Sequence, residues 1–257
     1  MEKVSVLAIT KNGINIGLKL KKYFPNWIIF APSKFSNNDK EIEWYEESTS
    51  EKIVELFKNN NALICLFSLG AVIRLIAPYL KDKKTDPAVI VIDDKASFVI
   101  SILSGHLGGA NELTEIIAQK LDATPVITTA ADVNKTIAVD LVGREFGWKI
   151  EDDSTVTKIS AYMVNEEKIG IYQETGKINW CKELPKNVKI YHSLEEMKNS
   201  DSKGYLIISD KILEGEFLKN SVVYRPPSLV IGIGLHWDTS KETIKEGLDF
   251  CLQKFKL

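Results

Sequence analysis

Two uninterrupted apolar runs, Ala62–Phe67 (ALICLF) and Ala88–Ile92 (AVIVI), constrain this chain more than any other feature. A strand with one wet face alternates apolar and polar residues. A strand with no polar position must be covered on both faces. The stretches between and before these runs have helical spacing. Ser50–Asn59 carries Ile53, Leu56 and Phe57, and Gly70–Leu80 carries Val72, Ile73, Ile76 and Leu80. The pattern predicts an α/β fold with a mostly parallel sheet covered by helices. Val4–Ile9 and Trp27–Phe30 supply further strands, with a helix from Asn12-Gly13 to Tyr23 between them. The polar stretch Ser33–Glu47 reads as a loop.

After AVIVI the alternation breaks. Asp93–Ser97 is too short to hold a crossover helix, so Ala88–Ile92 and Phe98–Leu103 are predicted to pair as an antiparallel hairpin. Asp86 should then lie near Ser104 and His106, with Asp93 and Asp94 at the far end. A helix predicted over Leu107–Leu121 returns the chain, and a strand over Thr124–Ile127 comes back. That path delivers Thr128, Thr129 and Asp132 to the same polar mouth.

The junction between Leu103 and the helix reads SGHLGGAN. Gly105, Gly108 and Gly109 permit tight bends and close approach of a ligand. A helix start adds unpaired N–H groups and partial positive charge. Ser104, His106 and Asn111 place polar chemistry beside it. In the plainer reading, the glycines only shape a turn and His106 is a cap or a solvated side chain. Spacing alone leaves both standing. Neither a dinucleotide fingerprint nor a phosphate-loop Gly-Lys-Ser/Thr is present.

The net charge of -2 gives no basic footprint for nucleic acid. The cysteines, Cys65, Cys181 and Cys251, have neither metal-site spacing nor a disulfide framework. The N-terminus does not read as a signal peptide, and no apolar run approaches the ~20 residues that cross a bilayer. A reduced, cytoplasmic protein is expected, with no membrane association.

From Thr136 the character changes. A helix is predicted to Gly147, then strands at Ile169–Tyr172, Val188–Tyr191 and Tyr205–Ile208. His192 is read as capping a helix that starts near Leu194. Arg225-Pro226-Pro227 marks a boundary. A strand over Leu229–Ile233, a turn over Gly234–Asp238 and a helix from Thr239 to Phe255 follow. Three regions are expected: residues 1–135 as an α/β domain with the SGHLGGAN site, 136–227 as a smaller α/β domain, and 228–257 as a strand-helix segment that opens a third. One strand and one helix cannot bury their own apolar faces, so they dock on the preceding domain, join another chain or begin a further domain.

The segments SLGAVIRLIAPYLKDKKTDPAVIVID and FVISILSGHLGGANELTEIIAQKLDATPVITTAAD resemble the cobalamin biosynthesis protein CbiG family. The likeness is dense over Leu66–Asp140 and thinner to Ser228. It implies a cobalt-precorrin-5A hydrolase, which opens a lactone ring and releases acetaldehyde in anaerobic cobalamin synthesis. The substrate brings its own cobalt, so no resident metal or cofactor is implied. On that reading His106 activates water, Asp86 orients it and Ser104 stands beside it. Gly105, Gly108, Gly109, Asn111, Thr128, Thr129 and Asp132 bind substrate, with the Gly108 and Gly109 N–H groups receiving the oxyanion. The implied partners are the corrinoid itself and other enzymes of the pathway, and a homo-oligomer is compatible. A segment typical of the family is replaced here by Gly234-Leu235-His236-Trp237-Asp238-Thr239. The competing readings are a non-catalytic corrinoid-binding or scaffolding protein and a phosphate- or nucleotide-binding α/β protein.

Overall fold

The computed structural model describes residues 3–255 apart from Asn38, Lys135, Lys182 and Leu229, and for Asp132 and Phe255 the backbone alone. The chain divides into two compact units, Met1–Val133 and Asn134–Leu257.

In the first unit the order is β1 (Val4–Ala8), α1 (Lys11–Tyr23), β2 (Ile28–Pro32), β3 (Ile42–Tyr45), α2 (Thr49–Asn59), β4 (Ala62–Leu66), α3 (Leu69–Ile76), β5 (Ala88–Ile92), β6 (Phe98–Leu103), α4 (Ala110–Leu121), β7 (Thr124–Val126) and a short α5 (Ala130–Val133). They build one seven-stranded sheet in the order β3-β2-β1-β4-β5-β6-β7. Strands β1 to β5 run parallel. β6 is antiparallel to β5, and β7 is parallel to β6. The hairpin between β5 and β6 is therefore present. Asp93 builds its turn: one carboxylate oxygen accepts Phe98 N at 2.6 Å, and the Asp93 carbonyl accepts Ala96 N at 2.9 Å.

Both faces of the sheet are covered, as the apolar runs require. Val4, Val6, Ile64 and Leu66 pack with Ile14 and Leu20 of α1 and Ile117 and Leu121 of α4. Leu7, Leu63, Cys65 and Val91 point the other way, against Ile53, Leu56 and Phe57 of α2 and Val72 and Ile76 of α3. Each buried aliphatic side chain contributes about 1.5–3 kcal/mol. Helix starts are fixed locally. The Thr10 hydroxyl caps α1 by accepting Gly13 N, and Ser48 with Glu51 forms a capping box on α2.

The second unit runs β8 (Lys149–Ile150), α6 (Val156–Val164), β9 (Ile169–Gln173), β10 (Val188–Tyr191), α7 (Leu194–Lys198), β11 (Gly204–Ile208), β12 (Ser221–Arg225) and α8 (Lys241–Phe255). Its sheet has the order β10-β9-β11-β12-β8, parallel except for β8 against β12. Here α6 covers one face through Val156, Ile159 and Met163, and α7 the other through Met197.

Five expectations are corrected. Ser33–Glu47 is not all loop: β3 lies within it, with Ile42 and Tyr45 buried and Glu43 left at the exposed edge. Thr136–Gly147 is not a helix. Gly143 and Gly147 take left-handed conformations, and the Val139 carbonyl accepts the Tyr224 hydroxyl at 2.7 Å. Helix α4 starts at Ala110 rather than Leu107, because Gly109 is left-handed (φ 79°) and Leu107 and Gly108 belong to the turn. His192 does not cap α7; Ser193 does, accepting Glu196 N at 3.1 Å. The strand expected from Leu229 begins outside the described residues, and Val230–Ile233 joins no sheet. Those residues and the Ile244 and Leu248 side of α8 line an apolar groove of about 480 Å³. Val230 is 93% exposed, so this segment leaves apolar surface unburied.

Candidate functional site

The turn after β6 is built from its own backbone. Ser104 takes a left-handed conformation (φ 56°), which is uncommon for a residue with a side chain. Its carbonyl accepts Ala110 N at 3.2 Å, the Gly105 carbonyl accepts Asn111 N at 3.1 Å, and the His106 carbonyl accepts Gly109 N at 2.9 Å. Three amides at the start of α4 are thus spent on the loop's own carbonyls. Of the two N–H groups expected to receive an oxyanion, that of Gly109 is engaged in this way, while that of Gly108 is outside these bonds.

Each glycine has a steric reason to be there. A Cβ on Gly108 would lie 2.4 Å from Ser104 Cβ and 2.6 Å from Ser104 O. One on Gly105 would lie 2.6 Å from Asn111 Oδ1. Gly109 needs its positive φ to enter the helix. Packing alone therefore accounts for all three. Their first consequence is a turn tight enough to hold His106, half-buried, at a fixed place beyond the strand.

Two separated segments meet this turn. The Ser104 hydroxyl donates to the Asp86 carbonyl at 2.8 Å, joining the turn to the segment that enters β5. Asn111 is buried at the first turn of α4, and its Nδ2 donates to Thr129 Oγ1 at 3.0 Å, joining the turn to the loop leaving β7. Asp86 meets Ser104 through its backbone. Its carboxylate accepts the Lys81 N–H, at 2.9 and 3.2 Å to its two oxygens, and lines a recess of about 540 Å³ with Lys58, Tyr79 and Lys81. Thr128 is exposed and Thr129 half-buried. Asp132 lies on α5, tied back by Val133 N to the Thr129 carbonyl at 3.0 Å, and its side chain lies outside the described residues.

Sequence reasoning missed Ser101. Its hydroxyl donates to Asn111 Oδ1 at 2.6 Å. The signal was available: Ser101 is the one polar residue in the strand FVISIL, where an apolar side chain would be ordinary. Among the described residues no group of three or more His, Cys, Asp or Glu side chains is placed to hold a metal ion. No helix among them is long and apolar enough to cross a membrane.

Known proteins share this architecture and sequence. Residues 51–132 match the family model described as cobalamin synthesis G N-terminal, and residues 137–226 match that of the cobalamin biosynthesis central region. Cobalt-precorrin-5A hydrolase of Priestia megaterium is 44% identical over 98% of this chain and 70% of its own length. Cobalt-precorrin-5A hydrolase of Salmonella typhimurium is 30% identical over 81% of this chain and 54% of its own. The crystal structure of a cobalamin biosynthesis protein G homolog from Sulfolobus solfataricus superposes with a TM-score of 0.50 at 23% identity. That match covers 100% of this chain and 70% of the other, and shows likeness of fold. Two family models in tandem, and close identity to a relative of which the chain spans more than two thirds, lead to one conclusion: the chain belongs to the CbiG family of cobalamin biosynthesis proteins.

Proposed function

We propose that this chain is a cobalt-precorrin-5A hydrolase, opening the lactone ring of that corrinoid with release of acetaldehyde in anaerobic cobalamin biosynthesis. The observation that carries the reading is the 44% identity to the Priestia megaterium hydrolase over 98% of the chain. Cobalt arrives with the substrate, and the protein's own residues act on the lactone.

Lactone hydrolysis needs a base for water, a donor for the oxyanion and a hold on the substrate. His106 is assigned the base. A neutral imidazole takes a proton from water, which adds to the lactone carbonyl carbon. When the tetrahedral intermediate collapses, the ring C–O bond breaks and the imidazolium returns the proton to the leaving oxygen. Acetaldehyde then leaves as that hydroxyl gives up its proton, its carbon becomes the aldehyde C=O and its C–C bond to the macrocycle breaks, the electron pair and a proton passing to the macrocycle. The Gly108 N–H lies outside the turn's internal bonds and is assigned to the oxyanion. Ser104 and Asp86 hold the turn through their 2.8 Å hydrogen bond. Asn111, Thr128, Thr129 and Asp132, with the Gly105 and Gly109 backbone, border the space assigned to the substrate's carboxylates.

The test is acetaldehyde released from cobalt-precorrin-5A by the purified chain, followed as NADH oxidation by a coupled alcohol dehydrogenase. His106→Ala is expected to lower turnover by about 100- to 10,000-fold, the usual cost of losing a general base. Near-normal turnover in a less stable His106→Ala protein would return His106 to a structural role. Tight corrinoid binding by the wild-type chain with no acetaldehyde would instead favour a corrinoid-holding protein of the same pathway.

A further inference from the structure

We infer that Ser101 and Asn111 are positioning residues whose hydrogen bonds fix the Thr129 hydroxyl as a donor toward an anionic oxygen of the corrinoid. This rests on the hydrolase reading above and assigns a residue, Ser101, that plays no part in it.

The direction of the chain of bonds follows from the atoms. A carboxamide oxygen only accepts, so at 2.6 Å the Ser101 hydroxyl must donate to Asn111 Oδ1. A carboxamide nitrogen only donates, so at 3.0 Å Thr129 Oγ1 must accept from Asn111 Nδ2. A hydroxyl whose oxygen is already accepting has its own proton to give. Thr129 is half-buried on the loop leaving β7, where a ligand can reach it. The start of the chain of bonds is rigid. Ser101 sits in β6, a strand paired on both sides, and Asn111 is only 7% exposed. Gly105 closes the space around the amide, since even a methyl group there would lie 2.6 Å from Oδ1. The amide thus presents Oδ1 to Ser101 and Nδ2 to Thr129.

The oxygen that takes the Thr129 proton is either a peripheral carboxylate of the corrinoid or the lactone oxygen that becomes charged. Both are hydrogen-bond acceptors of the same kind, and kinetics separates them. Loss of a carboxylate contact raises KM, whereas loss of a contact that strengthens in the transition state lowers kcat.

Asn111 is buried, and its truncation would confound folding with function, so the test uses the two ends of the relay. Thr129→Val keeps the shape and removes the hydroxyl. Acetaldehyde release is expected to fall about 100-fold in kcat/KM, in the range found for losing one donor to a developing charge. Ser101→Ala frees the amide and should lower the same parameter by roughly 3- to 10-fold. Ser101→Thr should restore it. The decisive variant is the double one: Ser101→Ala in the Thr129→Val background should cost nothing more, because the effect of Ser101 on turnover runs through the Thr129 hydroxyl. A structural role for Ser101 would make the losses multiply, and that result overturns the proposal, as does an unaffected Thr129→Val. If the wild-type chain releases no acetaldehyde, the hydrolase reading fails on its own. The relay is then read from the absorption change as cobalt-precorrin-5A is titrated into the same four proteins. Weaker, non-multiplying affinities in Thr129→Val and Ser101→Ala support it, and unchanged affinities overturn it.

Discussion

Gly108→Ala is the most direct test of how the turn after β6 is made. The added Cβ would lie 2.4 Å from Ser104 Cβ and 2.6 Å from Ser104 O, where carbon contacts normally settle near 3.5–4.0 Å. Neither atom is the far end of a flexible side chain, so the backbone itself must move. Ser104 is held by the hydrogen bond from its hydroxyl to the Asp86 carbonyl at 2.8 Å and by Ala110 N on its own carbonyl at 3.2 Å. Opening the turn loses at least one of these. Overpacking of this kind costs about 1–3 kcal/mol, and a lost hydrogen bond adds about 1 kcal/mol, so the expected loss is about 2–4 kcal/mol. For a unit the size of Met1–Val133 that corresponds to a fall in Tm of roughly 8–16 °C. Calorimetry and urea unfolding followed by far-UV circular dichroism measure it. The matched control is Gly247→Ala in α8, where the added methyl meets nothing within 4 Å beyond its own stretch of helix backbone. There the helix should gain up to about 1 kcal/mol. Turnover should fall in Gly108→Ala, because the same movement displaces His106. Wild-type stability and activity in Gly108→Ala would refute the steric account of the turn.

Three further outcomes follow from other parts of the chain. Hydrogen bonds from Thr10 and then Asn12 hold the Asp94 carboxyl below its ordinary value. Stability from that group is therefore present above pH 3.8 and lost as pH falls through the lower folded-state value, and Asp94→Asn should flatten this part of the stability–pH curve. Burial pushes the Cys65 thiol well above its ordinary pKa, so an aromatic disulfide reagent should label exposed Cys251 in the native protein and Cys65 only on unfolding. Rapid native labelling of Cys65 would contradict its burial. Ser193→Ala should cost about 0.5–2 kcal/mol by uncapping α7, whereas His192→Ala should stay within about 0.5 kcal/mol; the reverse ranking would restore His192 as the cap.

The sequence was most legible where burial is two-sided. ALICLF and AVIVI have no polar position, which only a covered sheet satisfies, and β4 and β5 are buried throughout. Edge elements were harder. In β3 the pattern Ile-Glu-Trp-Tyr gives just two buried positions, too short a period to stand out from the polar residues around it. Thr136–Gly147 misled for a different reason. Ile137, Val139 and Val142 are spaced like a helix face and are buried, yet tertiary bonds and two left-handed glycines hold them in successive turns. Periodicity reports which residues face a core, and a turn can satisfy that as well as a helix. At the site, residue types were legible but their partners were not. The family resemblance implies that the carboxylate of Asp86 orients His106. That carboxylate accepts the Lys81 N–H, and the contact with Ser104 runs through the Asp86 carbonyl, which no side-chain pattern encodes.

The placement of the site comes from the reversal at β6. In open α/β sheets ligands gather at the carboxyl ends of the parallel strands. Here the carboxyl ends of β1 and β5 carry Thr10, Asn12 and Asp94, bound to one another. The SGHLGGAN turn lies at the opposite end of the strands. β6 and β7 are parallel to each other and antiparallel to the rest, so β6–α4–β7 is a βαβ unit set upside down in the sheet. Within that unit the usual rule holds, since the turn with His106 and the loop with Thr128 and Thr129 both leave carboxyl ends. The reversal also makes Asp86, at the amino end of β5, a neighbour of Ser104. Were β6 parallel to β5, the two would be separated by the length of the strand, about 17 Å for five residues. The 2.8 Å bond between them therefore records the strand direction as surely as the ladder does. The short connection Asp93–Ser97, rather than the glycine pattern, decides which end of the strands carries the candidate chemistry.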